Sequence, residues 1–294
     1  MAQKPLSPIN DFVFKKVFGE NPGVLGGFLK AVLDLPAEEY QGLTVVDPNL
    51  GRESPGEKLG IVDVKINTRS GKVIHVELQV KAQSSIWQRM IFYTSKMVVE
   101  QVKSGWQYGR INRVVSILIA DFLMVPENGA YHNRFRLYDE KTGARYPDSF
   151  EINVLELPKM AEADGTQLGN WMRFFRARTE EDFMTVAETN PAIKEAWGII
   201  KVLSGDERAR ALAEAREKHR MDMDAWLSDA LREGEQKGRR EGRQEGRQEG
   251  RQEEKFEIAR NLLQEKTPLE VVARATGLSP EEIKRLAAEE PQAV

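Results

Sequence analysis

The sequence predicts an α/β protein: a mixed sheet flanked by helices, then a helical region, then a small C-terminal helix-turn-helix-like element. Three observations carry this expectation. β-Branched residues alternate with polar ones over 61–67 and 72–81, and an apolar run of strand length follows at 114–120. Between 166 and 231 aromatic and aliphatic residues recur at helical spacing with no convincing strand among them. A glycine-periodic polar tract ending near Lys255 then precedes a last group of short helical segments.

Taken in order, an amphipathic helix opens near Asn10 or Asp11, either of which can cap it, and runs through Phe12, Phe14, Val17 and Phe18 toward Gly19. The turn Asn21-Pro22-Gly23 leads into a second helix through Val24, Phe28, Leu29 and Val32. The two alternating segments flank Arg69-Ser70-Gly71, which reads as a three-residue hairpin loop with glycine at the left-handed position. A helix over 84–104, a buried strand at 114–120 and strands near 131–137 and 150–157 complete the core. Trp171, Phe174, Phe175, Phe183 and Val186, then Ile193, Trp197, Ile200 and Leu203, read as the packed face of helices rather than a ligand pocket.

Gly234, Gly238, Gly242, Gly246 and Gly250 recur every fourth residue among Glu, Arg and Gln. Glycine costs a helix about 1 kcal/mol per position relative to Ala, and Glu–Arg pairs at compatible spacing offset part of that. Either a marginal helix or a flexible connector is expected, and the glycine stripe would let two helices approach closely in self-association. Beyond it, 256–264, 268–275 and 281–288 read as short helices, with Ser279 as N-cap, Pro280 at the first position and Glu282 three residues after the cap. The last helix sets Lys284 and Arg285 beside Glu281, Glu282, Glu289 and Glu290. A docking or assembly element therefore fits better than a groove reader. The expected divisions are 1–160 for the core, 161–231 for a helical extension, 232–255 for the repeat and 256–294 for the C-terminal element.

With 294 residues and 40% hydrophobic content, the chain can build a packed core. Lys+Arg 43 against Asp+Glu 46 gives a net charge of -3, so any nucleic-acid-binding face must be local. There is no cysteine, no apolar leader at the N-terminus and no apolar run near the ~18 residues a membrane span needs. A cytoplasmic protein with no membrane partner is expected.

The hairpin register places the candidate site. If the loop is 69–71, Thr68 pairs with Lys72 and Asp63 lies directly across from Glu77, on a face shared with Lys65, His75 and Gln79. Val62, Val64 and Ile66 point the other way with Val76, Leu78 and Val80. Opposed carboxylates repel unless a cation sits between them, and oxygen-only ligands favour Mg²⁺, with Mn²⁺ as a substitute. The same spacing also fits two solvent-facing acids balanced by Lys65 and Lys81. The stretch 81–113 holds Lys81, Arg89, Lys96, Lys103, Arg110 and Arg113 against the single acid Glu100. Arg89, Tyr93, Lys96 and Lys103 are spaced for one helical face, which suits phosphate contacts or an ordinary solvated surface.

Asp63 followed by Glu77-Leu78-Gln79 resembles the D…(D/E)-x-K signature of PD-(D/E)XK nucleases, with glutamine in place of the lysine. The chain is similar, more specifically, to the Rpn recombination-promoting nucleases, also described as putative transposases. The matching pieces are 11–19 (DFVFKKVFG), the E-x-Q form, Arg89 and Tyr93, Glu156-Leu157-Pro158-Lys159 and the glycine-periodic tail. The resemblance implies a restriction-endonuclease-like core and metal-dependent hydrolysis of DNA, in recombination, DNA mobility or defence against foreign DNA. It implies that Asp63 and Glu77 hold the metal with the Leu78 carbonyl, that Gln79 orients water, and that Asp11 either joins the ligands or caps its helix. Gln79 supplies no charge, which must then come from Lys65, Lys81 or Arg89. The alternative is a DNA-binding or assembly protein with a degenerate, inactive core. One such site cuts one strand at a time, so a homo-oligomer is also expected.

Overall fold

Alternation of β-branched and polar residues around a tight loop builds the hairpin from which the sheet grows. In the computed structural model, which describes residues 4–46, 49–50, 60–61, 63–102, 107–145, 149–160 and 164–289, strand β1 is Thr44–Val46 and β2 is Asn49–Leu50. Strand β3 is Gly60–Ile61, β4 is Val64–Asn67 and β5 is Val73–Gln79. Val64 pairs with Val76, Lys65 with His75, Ile66 with Ile74 and Asn67 with Val73, the register expected from the loop. The loop closes through the Gly71 amide donating to the Thr68 carbonyl at 3.0 Å, with Gly71 at φ +85°. The strand expected over 61–67 is split, because β3 pairs with β2 in a separate two-stranded ribbon. Val62 lies outside the described residues.

Helix α1 (Asp11–Phe14) is capped by Asn10, whose side chain accepts from the amides of Phe12 and Val13. A π-helical turn over Lys15–Gly19 follows, then α2 (Pro22–Val32) with proline in its first turn. Helix α3 (Ile86–Val99) connects β5 to β6 (Val114–Ala120), and these strands are parallel. Strand β7 (His132–Arg136) lies antiparallel at the edge beside β8 (Phe150–Glu156), giving the order β1-β4-β5-β6-β8-β7. Helices α4 (Gln167–Arg176), α5 (Glu180–Ala187) and α6 (Pro191–Gly205) carry side-chain caps from Thr166, Thr179 and Asn190.

Ile74, Val76, Leu78, Val115, Ile117, Ile119 and Leu155 share one hydrophobic core with α1, α2 and the helices from α4 to α6. An aromatic cluster of Phe14, Phe18, Phe28, Trp171, Phe174 and Phe175 fills it. The opposite face is not left to solvent. Ile86 and Met90 of α3 pack on Leu118, Ala120, Ile152 and Val154, while Tyr93 and Met97 pack on Val73 and Val114. The polar row of the hairpin is thereby roofed by α3, which is what positions the site.

The chain divides into two compact units, Met1–His219 and Arg220–Val294. Helix α7 (Glu207–Gln264) runs 58 residues through the glycine repeat. In the second unit, α8 (Leu269–Thr276) ends on Gly277 at φ +69°, and α9 (Pro280–Glu289) begins at the expected capping box. There the Glu282 carboxylate accepts from the Ser279 amide at 2.8 Å, and the Ser279 hydroxyl accepts from the Glu282 amide at 3.3 Å. Ala259, Val272, Leu278, Ile283 and Leu286 form its core. Among the described residues no helix is long and apolar enough to cross a membrane.

Candidate functional site

Asp63 precedes β4 by one residue, and Glu77 lies toward the C-terminal end of β5. The two are pinned crosswise. Asp63 Oδ2 accepts from the Leu78 amide at 2.9 Å, and Glu77 Oε2 accepts from the Asp63 amide at 3.3 Å. Burial, and then the neighbouring charge of Glu77, push the Asp63 carboxyl up to about 6, against the Leu78 amide and Lys15, which favour its charged form. Burial makes the larger share of that rise, and the second acid adds to it.

Cations reach this pair from both sides. Lys15 Nζ lies 3.3 Å from Asp63 Oδ1 and 2.8 Å from Asp11 Oδ1. Burial draws the Lys15 ammonium down, but pairing with Asp11 and Asp63 outweighs it and holds the group above its ordinary value. An Arg89 guanidinium nitrogen donates to Glu77 Oε1 at 2.8 Å, while its neighbour donates to the Gln83 side chain at 2.9 Å. Glu77 Oε2 also meets His75 Nε2 at 3.3 Å. Glu77 is 4% exposed and His75 fully buried, so these contacts act where solvent screens little.

The remaining candidates are dispersed. Asp11 does not cap α1, since Asn10 does; its carboxylate joins Asp63 through Lys15. The Gln79 amide donates to the Lys81 carbonyl at 3.3 Å. Lys65 turns to Glu100 at 2.8 Å, and Lys81 is exposed. Tyr93 is buried beneath Arg89 with its ring edge-on to His75 at 6.0 Å, and Lys96 is buried with Nζ 6.0 Å from the Phe92 ring centre. The face of α3 carrying Arg89, Tyr93 and Lys96 therefore packs inward, and its solvent side exposes Ile91 and Val99. Lys103 lies outside the described residues.

Two contributors went unassigned in the sequence. Lys15 sits inside the motif at 11–19, and its only signal was the i,i+4 spacing from Asp11. His75 shares the acids' face by register, but its burial depends on α3, which no local pattern encodes.

Asp63 and Glu77 are the carboxylates at this site that a divalent cation could use. Magnesium keeps several waters and commonly takes one or two carboxylates plus substrate phosphates, a set that Asp63 and Glu77 can supply. Among the described residues no group of three or more His, Cys, Asp or Glu is placed to hold a metal ion. The described oxygens are met by Lys15, Arg89 and His75.

A mixed sheet with helices on both faces defines the class as an α/β protein, with two acids crossing one of its hairpins. Residues 8–230 match the family model described as PD-(D/E)XK nuclease family transposase, and residues 252–288 match the C-terminal HTH domain of the Rpn/YhgA-like nuclease family. The chain belongs to the PD-(D/E)XK nuclease superfamily, in its transposase-like, Rpn/YhgA-like branch. Among curated proteins and among solved structures, nothing matches it.

Proposed function

We propose that this chain is a divalent-metal-dependent DNA endonuclease, with Asp63 and Glu77 as the metal-holding pair and Mg²⁺ or Mn²⁺ as the cofactor. The observation that carries the reading is the crosswise pinning of the buried Glu77 and the half-buried Asp63, with the Asp63 carboxyl raised to about 6. Family membership supplies the substrate class. The Leu78 carbonyl is the proposed third protein ligand, and Asp11 a candidate further one.

When bound, the metal would supply a polarised water and charge for the scissile phosphate. Asp63 and Glu77 fix where that charge sits. Arg89 holds one Glu77 oxygen while its guanidinium remains beside the site as a fixed cation. Lys15 brings a second positive charge to Asp63, in a protein whose signature strand carries Gln79 instead of lysine. Gln79 can orient water but not balance charge. The reaction adds water to phosphorus and breaks one P–O ester bond, leaving a phosphate monoester and a hydroxyl. Lys65, Lys81 and Lys103 remain candidates for DNA contact or charge supply, whereas Tyr93 and Lys96 are buried, and cleavage of both strands would call for a homo-oligomer.

A second reading is favoured by a specific observation. Lys15, Arg89 and His75 already meet the acids, and no three-residue metal group occurs among the described residues. A DNA-binding or assembly protein with an inactive nuclease core asks for nothing beyond that. Supercoiled plasmid cleavage separates the two. Wild type should nick DNA with Mg²⁺ or Mn²⁺, Asp63→Ala and Glu77→Ala should lose at least about a hundredfold, and Gln79→Lys should cut at least as fast. Salt-sensitive DNA binding without turnover in any of them would establish the second reading instead.

A further inference from the structure

Beneath the acid pair lies a buried polar chain that the reading above does not use. His75 Nε2 is 3.3 Å from Glu77 Oε2, His75 Nδ1 is 3.2 Å from Ser116 Oγ, and Ser116 Oγ is 2.7 Å from Thr94 Oγ1. Thr94 Oγ1 in turn reaches the Met90 carbonyl at 2.6 Å. His75, Ser116 and Thr94 are all fully buried. The chain thus crosses from β5 to β6 and up into α3, the helix that also supplies Arg89.

Buried polar groups in a sheet–helix interface cost stability unless each is satisfied, and apolar residues would fill the same space more cheaply. Here the directions are constrained. A carboxylate only accepts, so the hydrogen between His75 and Glu77 belongs to Nε2. The Met90 carbonyl likewise only accepts, so the Thr94 hydroxyl donates to it and the Ser116 hydroxyl donates to Thr94, which leaves a Ser116 lone pair facing His75 Nδ1. The serine contact therefore holds the ring in the orientation that presents Nε2 to the acid. Glu77 Oε2 is held by His75 and the Asp63 amide, and Oε1 by Arg89. Its carboxylate is fixed from three directions before any ligand arrives.

We propose that His75 is a positioning residue for Glu77, with Ser116 orienting its ring and Thr94 anchoring the serine to α3. The proposal rests on the metal reading of Asp63 and Glu77. Partners behind a ligating group tune metal affinity, with losses of roughly 10- to 100-fold when they are removed.

The test titrates Mn²⁺ into the full-length protein by electron paramagnetic resonance, without DNA, alongside the urea unfolding midpoint. His75→Ala should weaken Mn²⁺ by about 10- to 100-fold, and His75→Gln, which restores an N–H donor, should recover most of the loss. Ser116→Ala leaves the imidazole in place and should weaken Mn²⁺ by about tenfold, so it carries the test even if His75→Ala does not fold. Wild-type Mn²⁺ affinity in folded His75→Ala, or in Ser116→Ala, overturns the positioning role while leaving the metal reading intact. Failure of His75→Gln to exceed His75→Ala reduces the histidine to packing. A wild type that binds no Mn²⁺ overturns the metal reading, and this proposal with it.

Discussion

Asp63 gives the most direct residue-level consequence. Its carboxyl titrates at about 6 in the folded protein against 3.8 for the ordinary group, chiefly through burial and then through Glu77. Between those values the folded chain holds a proton that the unfolded chain has released. Stability from this group is therefore fully present below 3.8, falls as pH rises toward about 6 and is flat above it. Asp63→Asn removes that loss while keeping an oxygen for the Leu78 amide, so the variant should be more stable than wild type at pH 7 by roughly 1–3 kcal/mol. Urea unfolding at pH 4 and pH 7 measures it, and a wild type–variant difference that does not grow with pH contradicts the account. Much at this scale was legible: the facing of Asp63 and Glu77 followed from a loop assignment and a period of two. The partners were not, because Lys15 arrives from the π-helical turn after α1 and His75 is buried only once α3 closes over it.

At the scale of elements, the β4–β5 hairpin was read correctly because its turn chemistry is local. Gly71 adopts φ +85°, and a Cβ there would meet the Asn112 side-chain nitrogen at 2.8 Å. Gly71→Ala should therefore cost about 1–2 kcal/mol, seen as a lower denaturant midpoint with an unchanged slope. A loss under about 0.5 kcal/mol would mean that the loop takes another turn type. The same hairpin shows what local patterns omit. Glu39, from a turn 31 residues before Ser70 in sequence, accepts the Ser70 amide and pairs with Lys72, clamping the loop. The sequence also suggested a solvent-facing stripe of Arg89, Tyr93 and Lys96, since helical spacing groups residues onto a face without saying where it points. Packing decided that: Ile86, Met90 and Met97 set the buried side, and Tyr93 and Lys96 lie on it.

For the whole molecule, the glycine repeat is where the sequence left two states open, and α7 takes the helical one. The residues from 234 through 251 are exposed, and nothing lies within 4 Å of a Cβ built on any of the five repeat glycines. A helix so placed draws little from packing and rests on intrinsic propensity, on its flanks and on pairs such as Lys237–Glu241 at 3.8 Å. Glycine to alanine is worth about 0.8–1 kcal/mol per position in such a helix, so Gly238→Ala, Gly242→Ala and Gly246→Ala together should slow amide exchange across the repeat by on the order of a hundredfold. With open space at each Cβ, Met1–His219 should keep its own exchange pattern. Wild-type repeat amides already protected, with protection rising with protein concentration, would show that a second copy covers the glycine stripe. In that case the alanines should accelerate exchange instead, because each added methyl would hold the two helices apart.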